Sequence, residues 1–311
     1  MELPSRPLKS NPGLSAVLPL KAQSGKTNSF EQCELLFESL LKFGKDLYFD
    51  QFFIVCPRKA ISVLEEKLSR YSPQLPLKFM PEELLIGRVT RMPWISGWRR
   101  QQLIKLAIAT HINSGFYLTF DSDVLLKRPI RNQDLIFEGK ALLQTQHKSV
   151  HANWWKGSGE ILRLDPDLSG FGMSVTPAIL HSESVRAMQV HISKMYKKDW
   201  MDQLLKSYKP FPANLFVRSV PWSEYSLYYL YLCESGLLES VHLVTKDPRL
   251  ISKSSVWSDV DFAEWDASYA LNESEGFFLV IQSNKGLPFE EIRSKVLPHL
   301  SIREKDNFQP E

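Results

Sequence analysis

The stretch Tyr117–Leu126 constrains this chain more than any other. Tyr117, Leu118, Thr119 and Phe120 run directly into Asp121, Ser122 and Asp123, and Val124, Leu125 and Leu126 follow. The apolar run reads as a buried strand. Carboxylates are almost never placed beside a core unless something holds them there. The usual holders are a hard divalent cation and the phosphates it carries. Residues two apart on a strand face the same side, so continued extension lets Asp121 and Asp123 reach one cation, directly or through water. Ligands of open α/β sheets bind beyond the carboxyl ends of strands. A turn or helix cap built on aspartates is the plain alternative.

The rest of the chain supplies the sheet that such a strand needs. Residues 1–14 read as an N-terminal arm, and Ala16–Leu20 as a first strand with Lys21 at its end. Ser29 and Gln32 make a capping box. Phe30, Cys33, Phe37, Leu40 and Leu41 then recur at helical spacing up to Gly44. Phe52–Cys56 is a second buried strand, stopped by Pro57. Ile61, Leu64 and Leu68 mark a second helix, and Leu77–Met80 a third strand. A helix from about Trp98 to Ile112 leads into the strand Phe116–Phe120. Strands alternating with helices predict a mostly parallel sheet with helices on both faces, a three-layer α/β/α sandwich.

The second half is less regular. Ala141–Thr145 reads as a strand, and Gly170–Pro177 as one whose glycines let something approach closely. Ser182–Tyr196 and Ser223–Ser235 read as helices, the latter closed by Gly236. Phe277–Gln282 is a late strand and Pro288–Leu297 a final helix. The expected organisation is a single domain over 15–311, with a nucleotide side over about 15–146 and an acceptor side over about 147–311.

Composition narrows the partners. A hydrophobic share of 43% with 12% aromatic residues excludes a mostly disordered chain. A net charge of +3 is too small to argue for nucleic acid and is compatible with anionic sugar nucleotides or acidic lipids. Cys33, Cys56 and Cys233 form no C-x-x-C pair, so neither a zinc site nor a redox motif is expected. Core thiols suit a reducing compartment. The first fifteen residues lack the apolar core of a signal peptide, and no run has the length of a membrane span. A cytoplasmic protein is expected, with peripheral membrane association through partners compatible with the sequence.

Gly97–Leu106 carries Arg99, Gln102 and Lys105 at i, i+3 and i+6, a broad cationic face suited to a nucleotide, or simply a solvated one. Trp222–Tyr225 is a second carboxylate site. Ser223 reads as an N-cap, which puts Glu224 in the first helical turn. There it either complements the helix dipole or acts as a general base. His147, His151, Asn153, Trp154 and Trp155 read as a polar-aromatic loop suited to carbohydrate stacking or to plugging a core.

The order G-W-R-R-Q-Q-L-I-K-L (97–106), Y-L-T-F-D-S-D (117–123), V-T-P-A-I-L-H (175–181) and W-S-E-Y-S-L-Y-Y (222–229) resembles a family of uncharacterised, glycosyltransferase-like bacterial and phage proteins. The resemblance runs from Ser15 to about Ser283 and implies a GT-A fold, a nucleotide-binding α/β sandwich. It implies Asp121 and Asp123 as ligands of Mn²⁺ or Mg²⁺ and of a donor diphosphate. The expected activity is transfer of a sugar from a nucleotide-sugar donor to a saccharide or other hydroxyl acceptor. Lys21, Arg99, Gln102, Lys105 and Ser122 are the expected donor contacts. Glu224 is the expected base, and Trp222, Tyr225, Thr176 and His181 are the expected acceptor contacts. Such enzymes often add a late histidine to the metal. His181, His242 and His299 are candidates without a diagnostic context, and Gln282–Asn284 is a further polar candidate. A lone histidine in the apolar run Val241–Val244 is more often structural. Two other readings stay open: a haloacid-dehalogenase-type phosphohydrolase with Asp121 as nucleophile, and a carbohydrate- or nucleotide-binding protein without turnover.

Overall fold

The computed structural model describes residues 13–20, 29–206, 208, 220–282, 287 and 289–300. Lys21, Ser283 and Asn284 lie outside the described residues, as do the side chain of Ser29 and nearly all of the N-terminal arm.

Eleven strands are found among the described residues. They are β1 (Leu14–Pro19), β2 (Phe52–Cys56), β3 (Leu77–Pro81), β4 (Phe116–Thr119), β5 (Val124–Leu126), β6 (Ile136–Phe137), β7 (Lys140–His147), β8 (Phe171–Met173), β9 (Ala178–His181), β10 (His242–Thr245) and β11 (Phe278–Val280). The central sheet has the order β3-β2-β1-β4-β9. The first four strands in that order are parallel, and β9 closes the edge antiparallel to β4. Every residue of β1, β2 and β4 is buried. A strand covered on both faces has no polar side to alternate with, which is why these segments read as unbroken apolar runs.

Register fixes where the strands end. Leu14 pairs with Phe116, and Ala16 with Phe52, so the carboxyl ends of β1, β2 and β4 point the same way. Helix Gly97–Ala107 packs against β1 and against helix Glu224–Glu234. Ser96 caps the former, its Oγ accepting from the Arg99 N–H, and the helix ends in a 3₁₀ turn, Ile108–His111. The second helix is capped by Ser223 and ends before Gly236, whose φ of 67° is the left-handed conformation expected of a closing glycine.

The second half forms its own small sheet, β10-β7-β6 with β8 on β7, and a two-stranded ladder of β11 and β5. Gly172 in β8 is the expected point of close approach. A Cβ there would overlap the indole of Trp155, which is 2% exposed. Residues 147–155 are not a loop: a 3₁₀ turn, Lys148–His151, runs into helix Ala152–Leu162. That helix splits the tryptophan pair, burying Trp155 while Trp154 stacks on His151 with ring centroids 3.9 Å apart.

His242 is a structural residue. Its Nε2 and the Tyr228 hydroxyl lie 2.8 Å apart, and its Nδ1 lies 3.1 Å from the Ala141 carbonyl. Burial lowers its pKa from 6.5 to about 3. A base whose folded pKa is depressed takes up fewer protons folded than unfolded, so its contribution to stability is present above pH 6.5 and lost as pH falls toward 3. Between pH 7 and pH 5 the wild type should lose about 2 kcal/mol through this group, at 1.36 kcal/mol per pH unit below the unfolded value. Thermal melts at both pH values, on the wild type and on His242→Gln, check this. The variant should show a clearly smaller drop, and an equal drop would assign the acid sensitivity elsewhere.

Candidate active site

The core ends abruptly at Phe120. Its ring lies parallel to Phe52, centroids 5.8 Å apart, and meets Phe278 edge-on at 5.7 Å. The strand stops at Thr119, and Asp121, Ser122 and Asp123 form a turn into β5. The aspartates are therefore brought together by a turn rather than by continued extension. Both line one cavity of about 370 Å³. Ser122, at the turn, is not among its lining residues.

A single buried ammonium organises this cavity. Lys105 is 3% exposed, and its Nζ lies 2.9 Å from Asp121 Oδ1 and 3.2 Å from Glu224 Oε1. Burial alone would lower its pKa, but Asp121, Tyr225 and Glu224 together hold it well above the usual lysine range. It therefore stays charged. Burial pushes the Glu224 carboxyl up, opposed by Lys105 and reinforced by Asp121.

The same Nζ donates to Thr176 Oγ1 at 2.8 Å, and the hydroxyls beyond it form a chain whose direction is determined. Thr119 Oγ1 gives its one proton to the Ala178 carbonyl at 2.9 Å. It must then accept from Tyr225 at 2.8 Å, and Tyr225 must accept from Thr176 at 2.7 Å. Each hydroxyl has a single proton, so the chain runs one way, from Lys105 to the backbone of β9. The chain fixes Lys105 between its carboxylates.

Helix Gly97–Ala107 presents two stripes. Trp98, Gln101, Gln102 and Lys105, at i, i+3, i+4 and i+7, face the 370 Å³ cavity. Gly97, Arg100, Gln101 and Ile104, at the same spacing, face a larger one of about 580 Å³. The larger cavity is also lined by Leu20 after β1, Pro57 after β2 and Glu82 after β3, so it lies at the carboxyl ends of the parallel strands. Gln101 lines both.

Sequence expectations for individual residues divide accordingly. Asp121, Asp123, Lys105, Gln102, Thr176, Glu224 and Tyr225 are brought into one cavity. Arg99 is not among the residues of either cavity; its guanidinium stacks on the Tyr208 ring at 3.7 Å. Three positions span 300° of helix and six span 600°, which puts Arg99 about 120° away from Lys105. Trp222 is 1% exposed, and its indole N–H donates to the Leu204 carbonyl at 3.2 Å, so it plugs the core. His181 pairs with Phe116 at the start of β4, three positions from Thr119, because β9 runs antiparallel. That separation is about 10 Å at roughly 3.4 Å per residue. His299 belongs to the last helix, Phe289–Leu300, and is not among the lining residues.

Reading the sequence missed Trp98, Gln146, Val150 and Trp257 as lining residues. Trp98 and Trp257 are 43% and 39% exposed, an unusual exposure for an indole. The stripe that begins at Trp98 was the available signal.

Gln282 is the late polar residue that reaches the site. The Ile281 N–H donates to the Asp123 carbonyl at 2.9 Å, which pins the end of β11 beside the aspartate turn. Two carboxylates and a carboxamide make an all-oxygen donor set, which suits a hard divalent cation. Among the described residues no group of three His, Cys, Asp or Glu could hold a metal, so any cation here would take further oxygens from its ligand or from water. Asp121 offers its oxygens unequally, since Oδ1 faces Lys105 while the side chain as a whole is 31% exposed.

One further feature stands out. Gln102 is 2% exposed, and neither its Oε1 nor its Nε2 has a hydrogen-bond partner. An orphaned buried polar atom costs about 1–3 kcal/mol.

The family model described as "Family of unknown function (DUF6492)" matches residues 11–304. No curated protein matches this chain. Among solved structures, mouse xyloside xylosyltransferase 1 in its apo form is similar over 87% of this chain and 98% of that chain, with a TM-score of 0.51 and 12% identity. The galactosyltransferase LgtC, solved with donor and acceptor sugar analogs, is similar over 94% and 98%, with a TM-score of 0.48 and 8% identity. The likeness to the xylosyltransferase is one of fold, and the fold is the GT-A-like α/β sandwich with a mostly parallel central sheet.

Proposed function

The chain belongs to the family DUF6492, and from that premise and the geometry above we propose that it is a glycosyltransferase. It takes a sugar from a nucleotide-activated donor to a hydroxyl of a saccharide or other acceptor. The observation that carries this reading is the pairing of Asp121 and Asp123 in a cavity that also holds Lys105 and Glu224. The 580 Å³ cavity beside Arg100 and Gln101 receives the nucleoside, and the 370 Å³ cavity receives the sugars. Asp121, Asp123 and Gln282 would hold Mn²⁺ or Mg²⁺ on the donor diphosphate. A cation bound there supplies charge stabilisation to the departing nucleoside diphosphate.

The remaining roles fall to the protein's own groups. Lys105 bridges Asp121 and Glu224 and keeps both carboxylates in place. Glu224 takes the proton of the acceptor hydroxyl, and burial suits it to that task by making its carboxylate more basic. Trp98, Trp154 and Trp257 offer flat apolar faces at the cavity on which an acceptor sugar stacks. The likeness in fold to a xylosyltransferase favours transfer over the phosphohydrolase reading. Cys33 and Cys56 are buried, and no helix of the described residues is long and apolar enough to cross a membrane. Both facts are compatible with a cytoplasmic enzyme that associates peripherally with membranes.

The test is a thermal-shift panel of nucleoside diphosphates and sugar nucleotides, with and without Mn²⁺. A ligand at 100 times its Kd stabilises the folded state by about 2.7 kcal/mol. Asp121→Asn and Asp123→Asn should each lose the Mn²⁺-dependent part of the shift. Without ligand, Asp123→Asn should melt as the wild type does, and Asp121→Asn, which also removes a counter-charge of buried Lys105, should melt lower. Shifts unchanged in both variants would remove the aspartates from the donor site. Slow hydrolysis of the donor in the absence of acceptor separates a transferase from a mere binder. A trapped phospho-aspartate at Asp121 would instead establish the phosphohydrolase.

A further inference from the structure

Gln102 is a buried group of the site that the roles above leave unexplained. Gln32 and Gln203 each leave a single amide atom, Oε1, without a hydrogen-bond partner. Gln144 accepts from the Leu250 and Ile251 N–H groups at 2.8 and 2.9 Å, and Gln189 donates to the Leu106 carbonyl at 2.8 Å. Gln102 is 2% exposed, and among the described residues it is the glutamine that leaves both amide atoms orphaned. It lies one turn before Lys105 and lines the smaller cavity, not the larger. Both amide atoms are sealed as the side chain stands, and with no hydrogen bond to break, a change of its rotamer brings them to whatever fills that cavity.

The partner that satisfies both atoms must itself donate once and accept once, at neighbouring positions. Two adjacent hydroxyls of a sugar ring do this.

We propose that Gln102 selects the transferred sugar by hydrogen-bonding a pair of its adjacent hydroxyls. The proposal rests on the glycosyltransferase reading and gives Gln102 to the sugar instead of the nucleotide.

The experiment is calorimetry with Mn²⁺, comparing UDP-glucose, UDP-galactose, GDP-mannose and UDP-glucuronate, each beside its nucleoside diphosphate. Wild type should bind one sugar nucleotide at least 10-fold tighter than the matching diphosphate. Gln102→Met, close in volume, should lose that excess while its diphosphate affinity stays within twofold. Its melting temperature should equal or exceed that of the wild type, because the orphaned atoms are gone. Gln102→Glu keeps the acceptor and loses the donor, and should lose the same excess, which guards against a packing defect peculiar to methionine. Equal losses for diphosphate and sugar nucleotide would put Gln102 on the nucleotide and overturn the proposal alone. So would unchanged affinities in both variants. If the wild type binds no diphosphate and no sugar nucleotide, the glycosyltransferase reading fails and this proposal fails with it.

Discussion

Lys105→Met is expected to cost about 3–5 kcal/mol of stability, the usual penalty for removing one partner of a buried ion pair. The methionine preserves length and removes the charge. Glu224, 4% exposed, would then face Asp121 with no cation between them. Thr176 would also lose the donor that starts its hydroxyl chain. Chemical denaturation with the wild type as reference measures the loss. A variant within about 1 kcal/mol of wild type would mean that the ion pairs contribute little and that Lys105 is not what holds the carboxylates. Lys105 fixes Asp121 in this account, so activity should vanish along with the stability, and an active Lys105→Met would contradict the site as drawn.

Glu224→Gln is expected to leave the protein folded and to reduce transfer by the roughly 10²–10⁴-fold that general-base catalysis contributes. The amide keeps the size and an oxygen for Lys105, which still has Asp121 as its counter-charge. Nucleoside diphosphate affinity should barely move, because the diphosphate belongs to the aspartate turn. A purely structural role at the helix start predicts a stability loss of about 0.3–1 kcal/mol and nearly normal turnover. Transfer rate and melting temperature on one preparation separate the two. The pH profile gives an independent check. The base must be ionised to act, and burial raises the Glu224 pKa. The rate should therefore climb with pH over a limb lying above the ordinary glutamate range, and that limb should disappear in Glu224→Gln.

Parts of this architecture could be read from the sequence because burial leaves a plain trace. β1, β2 and β4 are covered on both faces, and their residues are apolar almost without interruption. Helix Ser182–Tyr196 is found at its expected bounds. β9 was harder. Its four residues follow Pro177 and merge with the preceding glycine-rich run, so nothing local marks a separate strand or its antiparallel direction. That direction is what carries His181 away from the aspartates.

The site was half legible for a related reason. Residue type and local position pointed to Asp121, Asp123 and Glu224, which share the 370 Å³ cavity. What spacing could not show is which way a helix turns once packed. Arg99, Gln102 and Lys105 looked like one cationic face, yet the observed face is Trp98, Gln101, Gln102 and Lys105. Lys105 is buried as an internal counter-ion, where a solvated or phosphate-binding lysine was equally consistent with the letters. Trp222 and Trp257 differ in exposure, 1% against 39%, through tertiary packing alone. The larger cavity draws residues from after three separate strands, a convergence that only the sheet order creates.

The most direct measurement of the central claim is a calorimetric titration of UDP and of GDP, with and without Mn²⁺, into the wild type and Asp123→Asn. The account predicts that at least one diphosphate binds the wild type with Mn²⁺ and binds at least tenfold more weakly without it. Asp123→Asn should reduce the Mn²⁺-dependent binding to the metal-free level. Affinity that is indifferent to Mn²⁺ and to Asp123, or no binding of either diphosphate by the wild type, would contradict it.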